Sequence, residues 1–107
     1  MISCVVEYTI DPDKVNLFED YARRWIAAVI RLGGTHHGYF LPSRDASDRA
    51  ICIFSFSNMA DYEAYRLRVA HDPECVAILE KEKAERSIVR YTGSFFRPLL
   101  PEAAPPT

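Results

Sequence analysis

Only three of the 107 residues are cysteine, Cys4, Cys52 and Cys75, an odd number at wide spacing. No Cys-x-x-Cys pair occurs and no histidine stands at zinc-finger spacing, which argues against a disulfide framework and a structural zinc site. Each cysteine lies among apolar neighbours, where it serves as a small hydrophobe, and the expected compartment is reducing. Glycine is scarce too, at four residues. No glycine-rich phosphate loop, nucleophile elbow or paired histidine–carboxylate motif is present, so kinase, serine-hydrolase and zinc-enzyme chemistry have no support. No metal site is expected, and no cofactor. Positive charge is not in excess: 13 Lys and Arg against 15 Asp and Glu leave a net charge of −2. A polyanion such as nucleic acid is therefore not an expected partner. No apolar run approaches the ~20 residues of a membrane span. Met1-Ile2-Ser3-Cys4 lacks the basic start and long apolar stretch of a secretion signal. The expectation is a soluble, cytoplasmic protein.

What is present is an ordinary globular composition, 49% hydrophobic and 26% charged, in a length that fits one domain. A domain of this size buries only ~65% of its unfolded surface, so a partner subunit that covers more would matter. Residues 2–10 alternate, with Ile2, Cys4, Val6, Tyr8 and Ile10 on one face of a strand. Asp11-Pro12 then caps a helix with an apolar stripe at Val15, Phe18, Ala22, Trp25, Ile26, Val29 and Ile30. Gly33-Gly34 ends it, since a C-cap favours the left-handed backbone that glycine adopts. Residues 35–41 read as a second strand, 43–49 as a polar loop and 50–56 as a third strand. Ser57-Asn58 starts a second helical run carrying Met59, Tyr62, Tyr65 or Arg66, and Val69. His71-Asp72-Pro73 breaks it. A third helix is expected from Glu74 to about Ser87, with Val76, Leu79 and Ile88 inward and Lys81/Glu85 and Glu82/Arg86 as exposed pairs. Residues 88–96 form the fourth strand. The proline-rich stretch 98–107 is an arm or tail outside the domain, which spans 1–97.

This order, β-α-β-β-α-β, is that of a ferredoxin-like α+β fold: a four-stranded antiparallel sheet with helices on one face. The strands are apolar on both sides. Cys52, Phe54 and Phe56 oppose Ile51 and Ile53, and Val5 opposes Val6. Such a surface is too apolar to be left in water, and a second copy packed sheet to sheet is its simplest cover. A homodimer through the sheet face is expected.

The second strand holds the one local cluster, Thr35-His36-His37-Gly38-Tyr39-Phe40. Regular alternation puts His37, Tyr39 and Leu41 on one face and His36, Gly38 and Phe40 on the other. The histidines then point apart and cannot share a metal, and Gly38 leaves a gap where a ligand or backbone could approach. His36, His37 and Tyr39 are the candidate catalytic residues, a histidine serving as general base or haem ligand. A histidine half exposed at a strand start fits the same positions. Tyr8, Tyr39 and Tyr91, near the middles of three strands, together with Phe54, are candidates to line a pocket for a small apolar ligand. Tyrosines bonded to backbone fit equally.

Taken in order, several short segments resemble the NIPSNAP domain over about residues 4–100. They are Tyr8-Thr9-Ile10 running into Pro12-Asp13-Lys14, Phe18 and Trp25, Gly33-Gly34, Gly38-Tyr39-Phe40, Asp72-Pro73-Glu74 and Phe96-Arg97-Pro98-Leu99. The resemblance implies a dimeric α+β barrel. Members are linked to vesicle trafficking and mitochondrial roles, with no agreed enzyme activity. Where members often carry Glu-x-Arg in the first strand this chain has Cys4-Val5-Val6, and Asp13 stands where glycine is usual. At fold level the barrel is similar to cofactor-independent monooxygenases, haem-degrading oxygenases and small lactone isomerases, so three functional classes stay open. They are a ligand-binding homodimer, a small oxygenase or isomerase, and a structural dimer without ligand.

Overall fold

A computed structural model describes residues 1–44 and 48–101. Parts of the expected polar loop (45–47) and of the C-terminal arm (102–107) lie outside the described residues. The chain forms four strands, β1 (Ile2–Ile10), β2 (Thr35–Phe40), β3 (Arg49–Phe56) and β4 (Ile88–Phe96), with helix α1 (Val15–Arg31) between β1 and β2 and helices α2 (Met59–Val69) and α3 (Pro73–Glu85) between β3 and β4. The strands lie in the order β2-β3-β1-β4, every neighbouring pair antiparallel. This is the ferredoxin-like α+β arrangement expected from the element order.

Local chemistry starts and stops these elements largely as expected. Asp11 accepts the Asp13 amide and opens a short 3-10 turn, Pro12–Lys14, that leads into α1. The Asn58 side chain caps α2 by accepting the Asp61 amide, and Asp72 caps α3 by accepting the Cys75 amide. At these three starts a side-chain oxygen satisfies an amide that has no partner within the helix, while α1 itself follows the 3-10 turn without a side-chain cap. The two glycines after α1 do different work. Gly33 takes the left-handed backbone, at φ +98. Gly34 does not; a Cβ there would stand 2.7 Å from Val29 Cγ1 and 2.8 Å from Phe56 Cζ, so close packing excludes a side chain.

The core lies between the helices and the even-numbered face of β1 and β3. Phe18, Ala22, Trp25, Ala28 and Val29 of α1 are buried against Tyr8, Ile10, Ala50, Cys52 and Phe56. Ile30, expected in the stripe, is 58% exposed. α3 differs more. Cys75 and Ile78 are its buried residues, while Val76 and Leu79 are exposed, Leu79 on the side that faces the space between helices and sheet. Its start at Pro73 sets the phase of the inward line at 75 and 78, one residue away from the line expected. The helix ends at Glu85, and Ile88 belongs to β4. Of the two surface pairs, Lys81–Glu85 forms at 3.1 Å. Glu82 instead turns to the chain ahead of β4, accepting from the Ser87 hydroxyl and amide and, through Oε2, from the Ile88 amide at 3.0 Å.

The other face of the sheet carries Val5, Ile51 and Ile53 together with Phe40 and Phe96, each of the two phenylalanines 56% exposed. Helices cover none of these. Its polar groups bond each other: the buried Ser3 and Ser55 hydroxyls lie 2.6 Å apart, and Nε2 of the exposed His37 is 2.8 Å from Ser55 Oγ.

Candidate functional site

β2 is not a regular strand. His36 pairs with Phe54 and Tyr39 with Cys52, so two residues, His37 and Gly38, stand opposite Ile53 alone. Gly38 makes this bulge possible, adopting φ +105, a region that residues with a Cβ rarely enter. The bulge shifts the alternation by one position. His36 and Tyr39 therefore share the helix-facing side, while His37 and Phe40 share the other. The expected pairing of Tyr39 with His37 is corrected to Tyr39 with His36, whose rings stack at 5.2 Å and 15°. The histidines do point apart. Nothing lies within 4 Å of where a Gly38 Cβ would be, so backbone conformation, not a close approach, is what calls for glycine.

Between this face and the helices lies a cavity of about 900 Å3. Tyr8, Tyr39, Tyr91, Phe54 and His36 line it from the sheet, and Trp25 from α1. The ring of Tyr8 lies 6.0 Å from that of Tyr39 and 6.2 Å from that of Tyr91, and Phe54 stacks on His36 at 5.8 Å. The four aromatic residues singled out from sequence thus come together around one space. Tyr91 is 68% exposed on the edge strand and stands at the open side. Trp25, read from sequence as core, is buried and also part of this wall. Tyr62, Tyr65 and Arg66 of α2 and Arg86 after α3 complete it; helical spacing alone carries no sign that these would meet the strands here. His71 is exposed and outside this space.

The tyrosine, cysteine and histidine side chains of the wall are electrically neutral. Burial pushes the phenols of Tyr8 and Tyr39 well above their ordinary range, and the neighbouring phenol or thiol adds to the effect. Cys52, whose Sγ lies 3.8 Å from the Tyr8 hydroxyl, is pushed up by burial as well. None of these groups supplies an anion near neutral pH. The Gly38 amide donates to His36 Nδ1 at 2.9 Å, which makes Nδ1 the acceptor and places the ring proton of the neutral imidazole on Nε2. That Nε2, like Trp25 Nε1, is buried without a hydrogen-bond partner among the described residues. A ring held this way has no free lone pair. It does not fit the axial position of a haem iron or the role of a general base unless the Gly38 bond is given up. His37, on the opposite face, has no access to the cavity. No cluster of His, Cys, Asp or Glu able to hold a metal ion occurs among the described residues.

Burial, with a smaller contribution from His37, lowers the pKa of His36 from 6.5 to about 4. Below pH 6.5 the unfolded chain takes up a proton that the folded ring refuses until about pH 4. Stability due to the neutral ring is complete above pH 6.5 and lost as the pH falls through that window. The ring is only half enclosed, so the expected loss is on the order of 1–2 kcal/mol, well under what a sealed site would give. His36→Phe keeps the aromatic stack and removes the titration. Urea unfolding across the window should show a flatter pH dependence for the variant, and parallel curves would refute the assignment. Asp72 is held below its ordinary pKa by Arg31 and the Cys75 amide, so its contribution is lost only at lower pH.

The sequence profile of the NIPSNAP family matches residues 5–100. No curated protein matches the chain. Among solved structures, a NIPSNAP family protein with unknown function from Agrobacterium tumefaciens superposes with a TM-score of 0.78 at 19% identity, over 92% of this chain and 87% of that one. An uncharacterized NIPSNAP-like domain protein from Burkholderia xenovorans gives 0.77 at 19% identity, covering 98% and 89%. A proposed antibiotic biosynthesis monooxygenase from Nitrosomonas europaea gives 0.69 at 17% identity, covering 94% and 100%. At these identities the likeness is one of fold.

Proposed function

Because the chain belongs to the NIPSNAP family, we propose that it is a homodimeric binding domain holding a small apolar or aromatic molecule between the sheet and helices of each subunit. The observation that carries this reading is the aromatic wall around about 900 Å3 of space, a size that suits a small organic ligand. The aromatic part of the wall, with its phenol and imidazole donors, is suited to planar aromatic surfaces with an occasional polar group. The uncovered apolar face of the sheet supports the dimer, and β4, an edge strand, adds exposed Phe96 to it.

Trp25 is the single tryptophan and a wall residue, so its fluorescence reports on the cavity directly. Titration with 2-naphthol should change that emission saturably, with Kd of roughly micromolar to sub-millimolar as expected for a ligand of this size. An emission that never saturates counts against binding and leaves a dimer without ligand. A cofactor-independent monooxygenase or isomerase is the second reading, favoured by the fold shared with the Nitrosomonas europaea protein. It requires oxygen uptake, or isomerisation, with polycyclic phenols above the buffer rate.

A further inference from the structure

The cavity wall carries cations as well as aromatic rings. Arg66 from α2, Lys83 and Arg86 from the end of α3 and Arg90 from β4 line it, and Glu82 is the acid among its lining residues. Glu82 is already engaged on both oxygens by Ser87 and the Ile88 amide. Ion pairs among the described residues occupy Arg23, Arg24, Arg31 and Lys81, and none involves Arg66, Lys83 or Arg86. The lining thus holds four cations against one carboxylate, and that side of the space is net positive.

Positive side chains at a surface can simply be hydrated, and a second observation singles out Arg86. It closes α3 at φ 54 and ψ 47, its amide donating to the Glu82 carbonyl, and it is the one non-glycine residue with positive φ among those described. This is the position after a helix that glycine fits with least strain. A side chain with a Cβ costs about 1 kcal/mol there. The chain carries arginine at that point, with the side chain on the cavity wall.

The geometry points to a ligand that is aromatic and anionic: a ring system against Trp25, Tyr8 and Tyr39, with a carboxylate or similar oxyanion directed to Arg86 and Arg66. A guanidinium presents paired N–H donors that match two carboxylate oxygens, and partial removal from water strengthens the bond. This inference rests on the cavity reading above and adds the sign and placement of charge.

Matched probes separate the two. 2-Naphthoate and 2-naphthamide differ little in shape and differ in charge. Titrated against Trp25 emission, the native protein should bind the naphthoate about tenfold more tightly, and added salt should shrink the ratio. Arg86→Gly should bring the ratio to within about twofold, while Tm holds or rises because the backbone strain is relieved. Equal affinities in the native protein, or a ratio that survives Arg86→Gly, would overturn the charge assignment with the cavity reading intact. Failure of both probes to bind would overturn both.

Discussion

Phe18→Ala is expected to destabilise the domain by about 3–5 kcal/mol. Phe18 is fully buried, 5.0 Å from the ring of Tyr8 and 5.9 Å from that of Tyr39, in edge-to-face contact with both, and 5.7 Å from Tyr21. Truncation removes the ring's burial, leaves a void that closes only if α1 repacks toward the sheet, and breaks aromatic contacts worth further fractions of a kcal/mol each. Domains of this size have about 5–15 kcal/mol in total, so a large share is at stake. Thermal unfolding followed by circular dichroism should show Tm lowered by roughly 15 °C or more. A loss below about 1.5 kcal/mol would mean the site collapses far more easily than its neighbours suggest. Because Phe18 supports Tyr8 and Tyr39 of the cavity wall, Phe18→Leu, which keeps most of the volume, is the better test of binding.

Ile53→Glu should convert the proposed dimer to monomer. Ile53 sits mid-sheet on the face away from the helices, paired with Val5 across the strand, with Ile51 two residues along on the same side. In a sheet-to-sheet dimer each copy would bring a carboxylate into an apolar interface, opposite a symmetry-related one. An unpaired charge buried in this way costs several kcal/mol, and each 1.4 kcal/mol is about tenfold in Kd. Dissociation should become complete at micromolar concentration. Light scattering is expected to give twice 12.2 kDa for the native chain and a single chain for the variant, with unchanged far-ultraviolet circular dichroism. A native monomer under these conditions would refute the dimer.

The elements of this fold are legible because their signals are local. An aspartate or asparagine cap, a proline in the first turn and strict alternation each act over a few residues, and β1, α1 and β4 come out with near-correct bounds. The errors arise where a single residue changes phase. In β2 the bulge at Gly38 moves Tyr39 from the side of His37 to that of His36, and nothing in Thr35–Phe40 distinguishes that bulge from a regular strand with one small residue. In α3 the inward line depends on the angle at which Pro73 launches the helix, so Cys75 and Ile78 take the place of Val76 and Leu79. Gly33 and Gly34 look alike in sequence, yet one serves a backbone angle and the other a contact with Phe56 from 22 residues away. For the cavity, Tyr8, Tyr39 and Tyr91 are readable as residues near the middles of their strands, with Phe54 beside them, and the bulge decides that Tyr39 joins the others. Arg66 and Arg86 are not readable in this way, because their meeting depends on how three helices lie over the sheet.

The strand order also sets a timetable. β1 is a central strand, and its two neighbours, β3 and β4, follow it by some fifty and ninety residues, as the pairings Ser3 with Ser55 and Ser3 with Phe96 record. As the chain leaves the ribosome, β1 must wait for both, with the hydrogen-bonding groups along its edges unclaimed meanwhile. Pairings between ends so far apart are slow to find, and an uncovered strand edge attracts other chains while it waits. Val5 and Val6 sit in the middle of that edge. Early pairing with β3, helped by the nearby packing of α1, shortens the exposure on one side; the other stays open until β4 arrives.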